Sequence, residues 1–218
     1  TTRPKKRIFR LTRAQIDQTT QTLLPTYYTT SITATMARDP LQTNYEYADI
    51  ININSSNFTP LANWIAAIAD RVRLSPTAVI NCTAQNNSLT CLQTQARAFL
   101  IKAFRGDISE ANITRFTTFF TTSFTSEGIN NATADLVDVV LSSPQYLFRY
   151  EIQTDANAVL TAPELLQSLT YTLADAPAEK VRLSSAAAAA ARSAAQLKPT
   201  IRASSAPAEA RAKLAAFF

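Results

Sequence analysis

Histidine is absent from the 218 residues of this chain, and glycine is nearly absent, with Gly106 and Gly128 alone. The lack of histidine excludes imidazole general bases, Ser-His-Asp and Cys-His nucleophile systems, and haem attachment of the Cys-x-x-Cys-His kind. It also removes the most common metal ligand. An average chain of this length has on the order of 15 glycines. Because helices need little glycine, the shortage favours a mainly helical protein.

Charged residues and long apolar runs are also scarce. The chain is 17% charged and 46% hydrophobic, with a mean hydropathy of -0.05, which is typical of a folded globular protein rather than a disordered one. Its longest unbroken apolar stretches, 64–69 and 186–191, fall far short of the roughly 18 residues that a membrane-spanning helix needs. The sequence therefore predicts no transmembrane segment.

The net charge of +5 lies at the amino-terminal end of the chain. Residues 1–13 carry six basic side chains and no acidic one, and residues 14–218 have a net charge of -1. A neutral body argues against nucleic acid as a partner, although a basic arm can contact phosphates or anionic lipid. We expect no nucleic-acid binding, and membrane contact only through the arm, residues 1–10.

Helix signals recur along the chain. Thr12 and Gln15 form a capping-box pattern that predicts a helix over 13–24. The stretch 25–58 has no sustained period and predicts a long loop. Thr59 before Pro60 predicts the start of the next helix. Four more helices are expected before the tail, which are one over 90–105 ending at Gly106, one capped by Ser109, one after Gly128, and one opened by a second capping box at Thr161 and Glu164. The Ala-rich remainder predicts two more helices, broken near Lys198-Pro199.

Apolar residues at helical spacing predict which faces of these helices are buried. The central helices are expected to bury Leu61, Trp64, Ile65, Ile68, Val72, Leu92, Ala96, Phe99, Leu100, Ala103, Phe104, Ile113, Phe116, Phe119, Phe120, Phe124, Leu136, Val139, Val140 and Leu141. The fold class predicted is all-α, an irregular multi-helix domain with a long N-terminal loop and one local disulfide. The predicted organisation is a basic arm (1–10), a helical domain (11–176) and an Ala-rich helical tail (177–218).

Cys82 and Cys91 are the only cysteines, and the residues between them are polar and turn-forming. This spacing suits a local disulfide, which contributes roughly 2.5–3 kcal/mol in the chain-entropy model. Two free thiols are the alternative. A zinc site is less favoured, because two cysteines without histidine do not complete a tetrahedral shell unless carboxylates or another chain supply the remaining ligands.

Candidate acids are few. Asp135 and Asp138 lie three residues apart on a predicted helix, and Glu46 and Asp49 have the same spacing in the predicted loop. Either pair suits calcium binding or acid-base chemistry, yet no dense calcium loop is present and solvated surface is the simpler interpretation. The sequence predicts no catalytic residue, no metal site and no cofactor.

Four segments in this order resemble the planctomycete-type cytochrome-associated domain family, large secreted bacterial proteins of unknown function. They are Arg10-Leu-Thr-Arg-Ala-Gln15 with Leu23-Leu24; Tyr47-Ala-Asp-Ile50 with Phe58-Thr-Pro60; Phe99-Leu-Ile-Lys-Ala-Phe-Arg105 with Ile108-Ser-Glu110; and Ser142-Ser-Pro-Gln-Tyr-Leu-Phe-Arg149 with Leu160-Thr-Ala-Pro-Glu-Leu165 and Leu169-Thr-Tyr171. The resemblance covers about residues 7–176. It departs from the family after Tyr171, where Leu173-Ala-Asp-Ala-Pro177 replaces aromatic and acidic residues.

The resemblance implies an exported protein. Relatives tend to carry a cysteine pair at the position of Cys82 and Cys91, which supports an oxidising compartment and a periplasmic, outer-envelope or extracellular location. Family members usually continue well beyond this length, so the chain resembles a part of a longer protein. Some relatives carry a c-type haem domain elsewhere, but nothing here matches its motif.

These observations predict a non-catalytic exported subunit that packs against other protein subunits of an envelope or extracellular assembly. Aromatic residues are enriched in interface cores. The expected interaction residues are Tyr27, Tyr28, Tyr45, Tyr47, Phe217 and Phe218. The alternative is an accessory fragment of a larger redox enzyme or cytochrome-associated protein, whose active part lies outside this chain.

Overall fold

The computed structural model of this chain describes residues 7–42, 45–46, 53, 55–82, 88–152, 160–181 and 211. Contacts divide the chain into two compact units. Unit 1 comprises Thr1–Thr22, Ala37–Ile53 and Phe148–Phe218, and unit 2 comprises Leu23–Met36 and Asn54–Leu147. The predicted division into arm, domain and tail stays a prediction, because most of the arm and of the tail lies outside the described residues.

The described residues are mainly helical, which confirms the all-α prediction. The helices are α1 (Arg13–Leu23), α2 (Ser55–Leu74), α3 (Leu89–Ala103), α4 (Glu110–Ser142), α5 (Pro144–Leu147), α6 (Ala162–Ala174) and α7 (Ala178–Val181). Two short antiparallel sheets, which the sequence did not predict, pair β1 (Arg7–Arg10) with β4 (Phe148–Glu151) and β2 (Leu41–Gln42) with β3 (Tyr45–Glu46). Within the described ranges, no helix is both long enough and apolar enough to cross a membrane.

Unit 2 is built on α4, against which α2 and α3 both pack. The predicted apolar stripe of α2 is buried as expected, and so is the predicted face of α3. The predicted start of α2 was wrong, because the helix begins at Ser55 and Pro60 lies inside it. Proline is tolerated in the first turn of a helix, but its presence does not show that a helix begins there. In α2 the effect of Pro60 is that residue 60 has no N–H to donate to the Ser56 carbonyl.

The backbone of α4 breaks at Gly128, as the sequence predicted. Gly128 has φ 79° and ψ 174°, a conformation that residues with a side chain rarely adopt, and helical geometry resumes after it. The Ser109 cap is confirmed, since its hydroxyl accepts a hydrogen bond from the Asn112 N–H. The predicted burial of Phe119 and Val139 was wrong, because both are about 40% exposed. An apolar residue at the edge of a stripe need not face the core.

Unit 1 combines elements from the start of the chain, β1 and α1, with the later elements β4, α6 and α7. The β1–β4 sheet places Arg7 opposite Glu151 and Phe9 opposite Arg149. Helix α1 begins with the predicted capping box, in which Thr12 N–H donates to Gln15 Oε1 over 3.1 Å and Gln15 N–H donates to Thr12 Oγ1 over 3.2 Å. The second predicted box, Thr161 with Glu164, opens α6. The sequence did not predict this pairing, because the two strands lie some 140 residues apart and local periodicity does not report which distant segments pair.

The predicted loop 25–58 contains more structure than expected. It includes a 3-10 helix at Ile32–Ala34, the antiparallel pair β2–β3 and the first residues of α2. Cys82 and Cys91 are joined by a disulfide with a Cα–Cα distance of 6.1 Å, which confirms the local disulfide and excludes the alternative of two free thiols.

Candidate functional site

Arg105 connects two of the motifs that carry the family resemblance. It follows α3 with a φ of 57°, the left-handed conformation that helix ends commonly give to glycine. The N–H groups of Arg105 and Gly106 bond to the carbonyls of Lys102 and Ile101, which closes the helix in a Schellman arrangement. The sequence predicted that α3 ends at Gly106, whereas the first residue with left-handed backbone after the helix is Arg105.

The left-handed backbone directs the Arg105 side chain to α5. Its guanidinium donates to the carbonyls of Gln145 and Tyr146 over 2.8 and 3.1 Å, and lies 5.9 Å from the centre of the Tyr146 ring. Tyr146 is fully buried. Arg105 therefore caps the last carbonyls of α5, where a cation also interacts favourably with the helix dipole.

We expect Arg105→Ala to lower the free energy of unfolding by about 2 kcal/mol, because it removes two charge-assisted hydrogen bonds. Arg105→Gly loses the same contacts but relieves the left-handed strain, and is expected to be about 1 kcal/mol more stable than Arg105→Ala. Urea titration followed by circular dichroism measures both. Lys102→Ala, which removes an exposed cation from the same helix end, is the control. Equal stability of Arg105→Ala and the control would show that the contacts to α5 contribute nothing.

Arg10 and Asp39 form a fully buried ion pair in unit 1. Their side chains are 0% and 1% exposed, and the Arg10 guanidinium donates to Asp39 Oδ1. Asp39 Oδ2 also accepts the Arg13 N–H, at 2.6 Å, and thus serves the first turn of α1. The sequence placed Arg10 in a solvated arm, and nothing in its local pattern indicated burial. A charged pair at this depth is maintained only when both partners are present.

One face of the β1–β4 sheet carries a second charged cluster. The guanidinium groups of Arg7 and Arg149 lie 5.3 and 4.6 Å from the centre of the Phe9 ring, distances typical of cation–π contacts. The buried Glu151 carboxylate lies 2.6 Å from the Arg7 guanidinium and accepts the Ser168 hydroxyl at 3.0 Å. The cluster thereby holds both strands and α6 together.

Tyr171 of the Leu169-Thr-Tyr171 motif meets the first motif at α1. Gln15 Nε2 donates to the Tyr171 carbonyl over 3.2 Å and to Asp175 Oδ1 over 2.8 Å. The hydroxyls of Thr19 and Tyr171 share a hydrogen bond of 2.8 Å. Gln15 thus has two roles, since it also closes the capping box of its own helix. The contact joins α1 to α6 within unit 1.

The motif residues described so far lie where elements of the chain join. The interior carboxylates are engaged in the same way, because Glu164 accepts the Thr161 N–H at 3.0 Å and the Ile152 N–H at 2.9 Å. Both Glu164 oxygens are thus used to hold the backbone, one at the start of α6 and one just after β4. The geometry therefore assigns these side chains to architecture.

Of the two acidic pairs considered from sequence, the structure describes the side chains of Asp135 and Asp138, and each of these bonds to a different serine. Asp135 accepts the Ser123 hydroxyl at 2.8 Å across the Gly128 break, and the exposed Asp138 accepts the Ser142 hydroxyl at 3.3 Å. Asp49 and the side chain of Glu46 lie outside the described residues. In the part of the chain that the structure describes, no three cysteine or acidic side chains lie close enough to hold a metal ion.

The predicted interaction aromatics have different environments. Tyr27 is 4% exposed and belongs to the core of unit 2, where its hydroxyl donates to the Ser75 carbonyl and accepts the Ala78 N–H at 3.2 Å. Burial raises the pKa of the Tyr27 hydroxyl, an effect that the Ala78 hydrogen bond partly offsets. Tyr27 is therefore not a surface residue, whereas Tyr28 is half-buried. Tyr47, Phe217, Phe218 and the side chain of Tyr45 lie outside the described residues.

Large apolar side chains that sequence analysis did not select are exposed on unit 2. Leu74 at the end of α2 is 84% exposed, and Phe58 in its first turns is 60% exposed. Leu89 and Ile101 on α3 are exposed as well. The helical spacing could have indicated them, since each lies off the buried stripe of its helix.

Residues 91–151 match the model of a protein family described as a protein of unknown function, DUF1595. The match begins in the first turn of α3 and ends with β4, and so includes Arg105, its contacts on α5 and Glu151. Over this minor part of its length, the chain is similar to that family. No curated protein and no solved structure matches the chain.

Proposed function

We propose that this chain is a non-catalytic structural or interaction domain of an exported protein, of the planctomycete-type cytochrome-associated kind that its four motifs resemble. The similarity of residues 91–151 to a family of unknown function is the premise. The observation that carries the proposal is the use of the motif side chains. Arg10, Gln15, Arg105 and Tyr171 each contact another element of the same unit.

An enzyme of this size would bring motif side chains together at an open site, with a proton acceptor among them. Here the motif side chains bond to other segments of the same unit instead. Their role in the fold is enough to explain the sequence pattern. We therefore expect the function to lie on the surface, where the protein can contact other proteins.

Export is supported by the Cys82–Cys91 disulfide. Disulfides form and persist in oxidising compartments and are rare in reducing ones. A periplasmic, outer-envelope or extracellular location is compatible with this bond.

The interaction part of the proposal is supported by the exposed apolar side chains of unit 2. Phe58 and Leu74 on α2 expose more than half of their surface, and apolar groups at protein–protein contacts are shielded from water when a partner binds. We propose other protein subunits of an envelope or extracellular assembly as the partners.

Site-specific photo-crosslinking in the source cells tests this function. We expect a photoreactive amino acid at Phe58 or Leu74 to give a protein adduct of defined mass. The same probe at Thr94, an exposed polar position on α3, is the control and should give none. Adducts at all three positions, or at none, would contradict a specific interaction surface.

The purified chain should also have no haem absorbance and no stoichiometric metal. An absorbance spectrum and an elemental analysis measure this directly. A Soret band, or one metal ion per chain, would contradict the non-catalytic proposal and favour the alternative of a redox accessory fragment.

A further inference from the structure

The disulfide partners Cys82 and Cys91 occupy different backbone environments. Cys91 lies in the first turn of α3, where the Ser88 hydroxyl accepts the Cys91 N–H at 3.2 Å as the helix cap. Cys82 lies outside the helices, four residues after the end of the Pro76–Ala78 3-10 helix. Both cysteines are half-buried, so that part of each remains in contact with solvent.

The first turn of α3 favours a thiolate at Cys91. The N–H groups of a helix amino terminus carry partial positive charge, which stabilises a thiolate that is released there. No acidic side chain lies in the first turn to oppose the effect. Side chains in a helix point back toward its amino terminus, so a side chain of the first turn generally lies closer to these N–H groups than one further along the helix.

In thiol–disulfide exchange the sulfur of lower thiol pKa leaves more readily. We propose that Cys82 is a modification site for external thiols, because a thiolate that attacks this disulfide bonds to the Cys82 sulfur and releases Cys91. The bond between the two protein sulfurs breaks as the new disulfide to Cys82 forms. The electron pair of the broken bond remains on Cys91 as a thiolate, so no further oxidant or proton is needed.

The first step is reversible, since the Cys91 thiolate can attack the mixed disulfide and expel the external thiol. A second external thiolate instead attacks the sulfur of the bound thiol and completes a two-electron reduction. The products are then the protein dithiol and the disulfide of the small thiol. The disulfide is thus a directional exchange site of which Cys82 is the reactive end.

Reduced glutathione is the probe. The oxidised full chain is mixed with glutathione for a short time and quenched with N-ethylmaleimide, which alkylates the released thiolate. No Lys or Arg lies between Arg73 and Arg97, so that trypsin leaves both cysteines on one peptide, and fragmentation of this peptide in the mass spectrometer locates each label. We expect glutathione on Cys82 and maleimide on Cys91, in excess of the reverse pattern by about threefold or more.

Ser88→Asp tests the cause without weakening the helix, because aspartate is as good a cap as serine. Its carboxylate lies beside Cys91 and disfavours a thiolate there, so we expect the preference for Cys82 to fall toward equality. Gln93→Glu adds the same charge at an exposed position two residues on, which does not face Cys91, and should retain the preference. Equal labelling of both cysteines in the unmodified chain, or an unchanged ratio in Ser88→Asp, would overturn the proposal.

Discussion

Asp39→Ala should lower the free energy of unfolding by about 3–5 kcal/mol, because it leaves the Arg10 guanidinium buried without its counter-charge. The two side chains are 0% and 1% exposed, so water cannot replace the lost carboxylate without opening unit 1. The substitution also removes the acceptor of the Arg13 N–H at the start of α1. Urea unfolding followed by far-ultraviolet circular dichroism measures the loss.

Asp70→Ala is the matched control for this effect. Asp70 also pairs with an arginine, Arg73, but their side chains are 68% and 43% exposed, and an exposed pair contributes little to stability. A double variant, Arg10→Met with Asp39→Leu, removes both charges and should recover most of the stability that Asp39→Ala loses. If Asp39→Ala and Asp70→Ala were equally stable, burial of the pair would have no energetic consequence.

The segment 91–151, expressed alone, should not fold cooperatively, although it is the part that matches a family model. It lacks α2, whose buried face of Leu61, Ile65, Ile68 and Val72 packs against α4. It also lacks β1, the partner of β4. Without α2 the apolar face of α4 is exposed to water, at a cost of roughly 1.5–3 kcal/mol for each large side chain. Thermal melting should show a broad transition without a two-state midpoint.

The segment 23–147 should fold by itself, because it contains all of unit 2. Tyr27 and Trp64 attach its amino-terminal part, since the Trp64 indole N–H donates to the Thr30 carbonyl at 2.8 Å. Trp64 is the only tryptophan and lies in the buried face of α2, so its fluorescence reports on this core. Cooperative folding of 91–151, or failure of 23–147 to fold, would contradict the assignment of a separate core to unit 2.

Local chemistry determined where several helices begin. The capping boxes at Thr12 and Thr161 and the cap at Ser109 lie where the sequence predicted them, because a cap is formed by residues within three positions of each other. The buried faces of α2 and α3 could also be predicted from the sequence, since the helical spacing of the apolar residues is enough to identify them. The disulfide could likewise be predicted from local sequence, because Cys82 and Cys91 are only nine positions apart and the residues between them are polar.

Proline and glycine were less reliable at the helix ends. Pro60 lies inside α2 because the chain before it already has helical geometry from Ser55. Gly106 has a positive φ after α3, but Arg105 before it already takes the left-handed position. Contacts with α5 offset the strain of that conformation, and those contacts come from residues 40 positions away.

Only the tertiary structure decided which charges are internal and which elements meet. The β1–β4 pairing, the burial of Arg10 with Asp39, and the contact of Gln15 with Tyr171 all join residues that are distant in the chain. A sequence pattern records the preference of a residue for a local conformation, whereas burial of a charge depends on the partner that the fold brings to it. The sequence by itself therefore determined the helical class and the local caps of this protein. Only the fold showed that its motif residues connect segments that are distant in the chain.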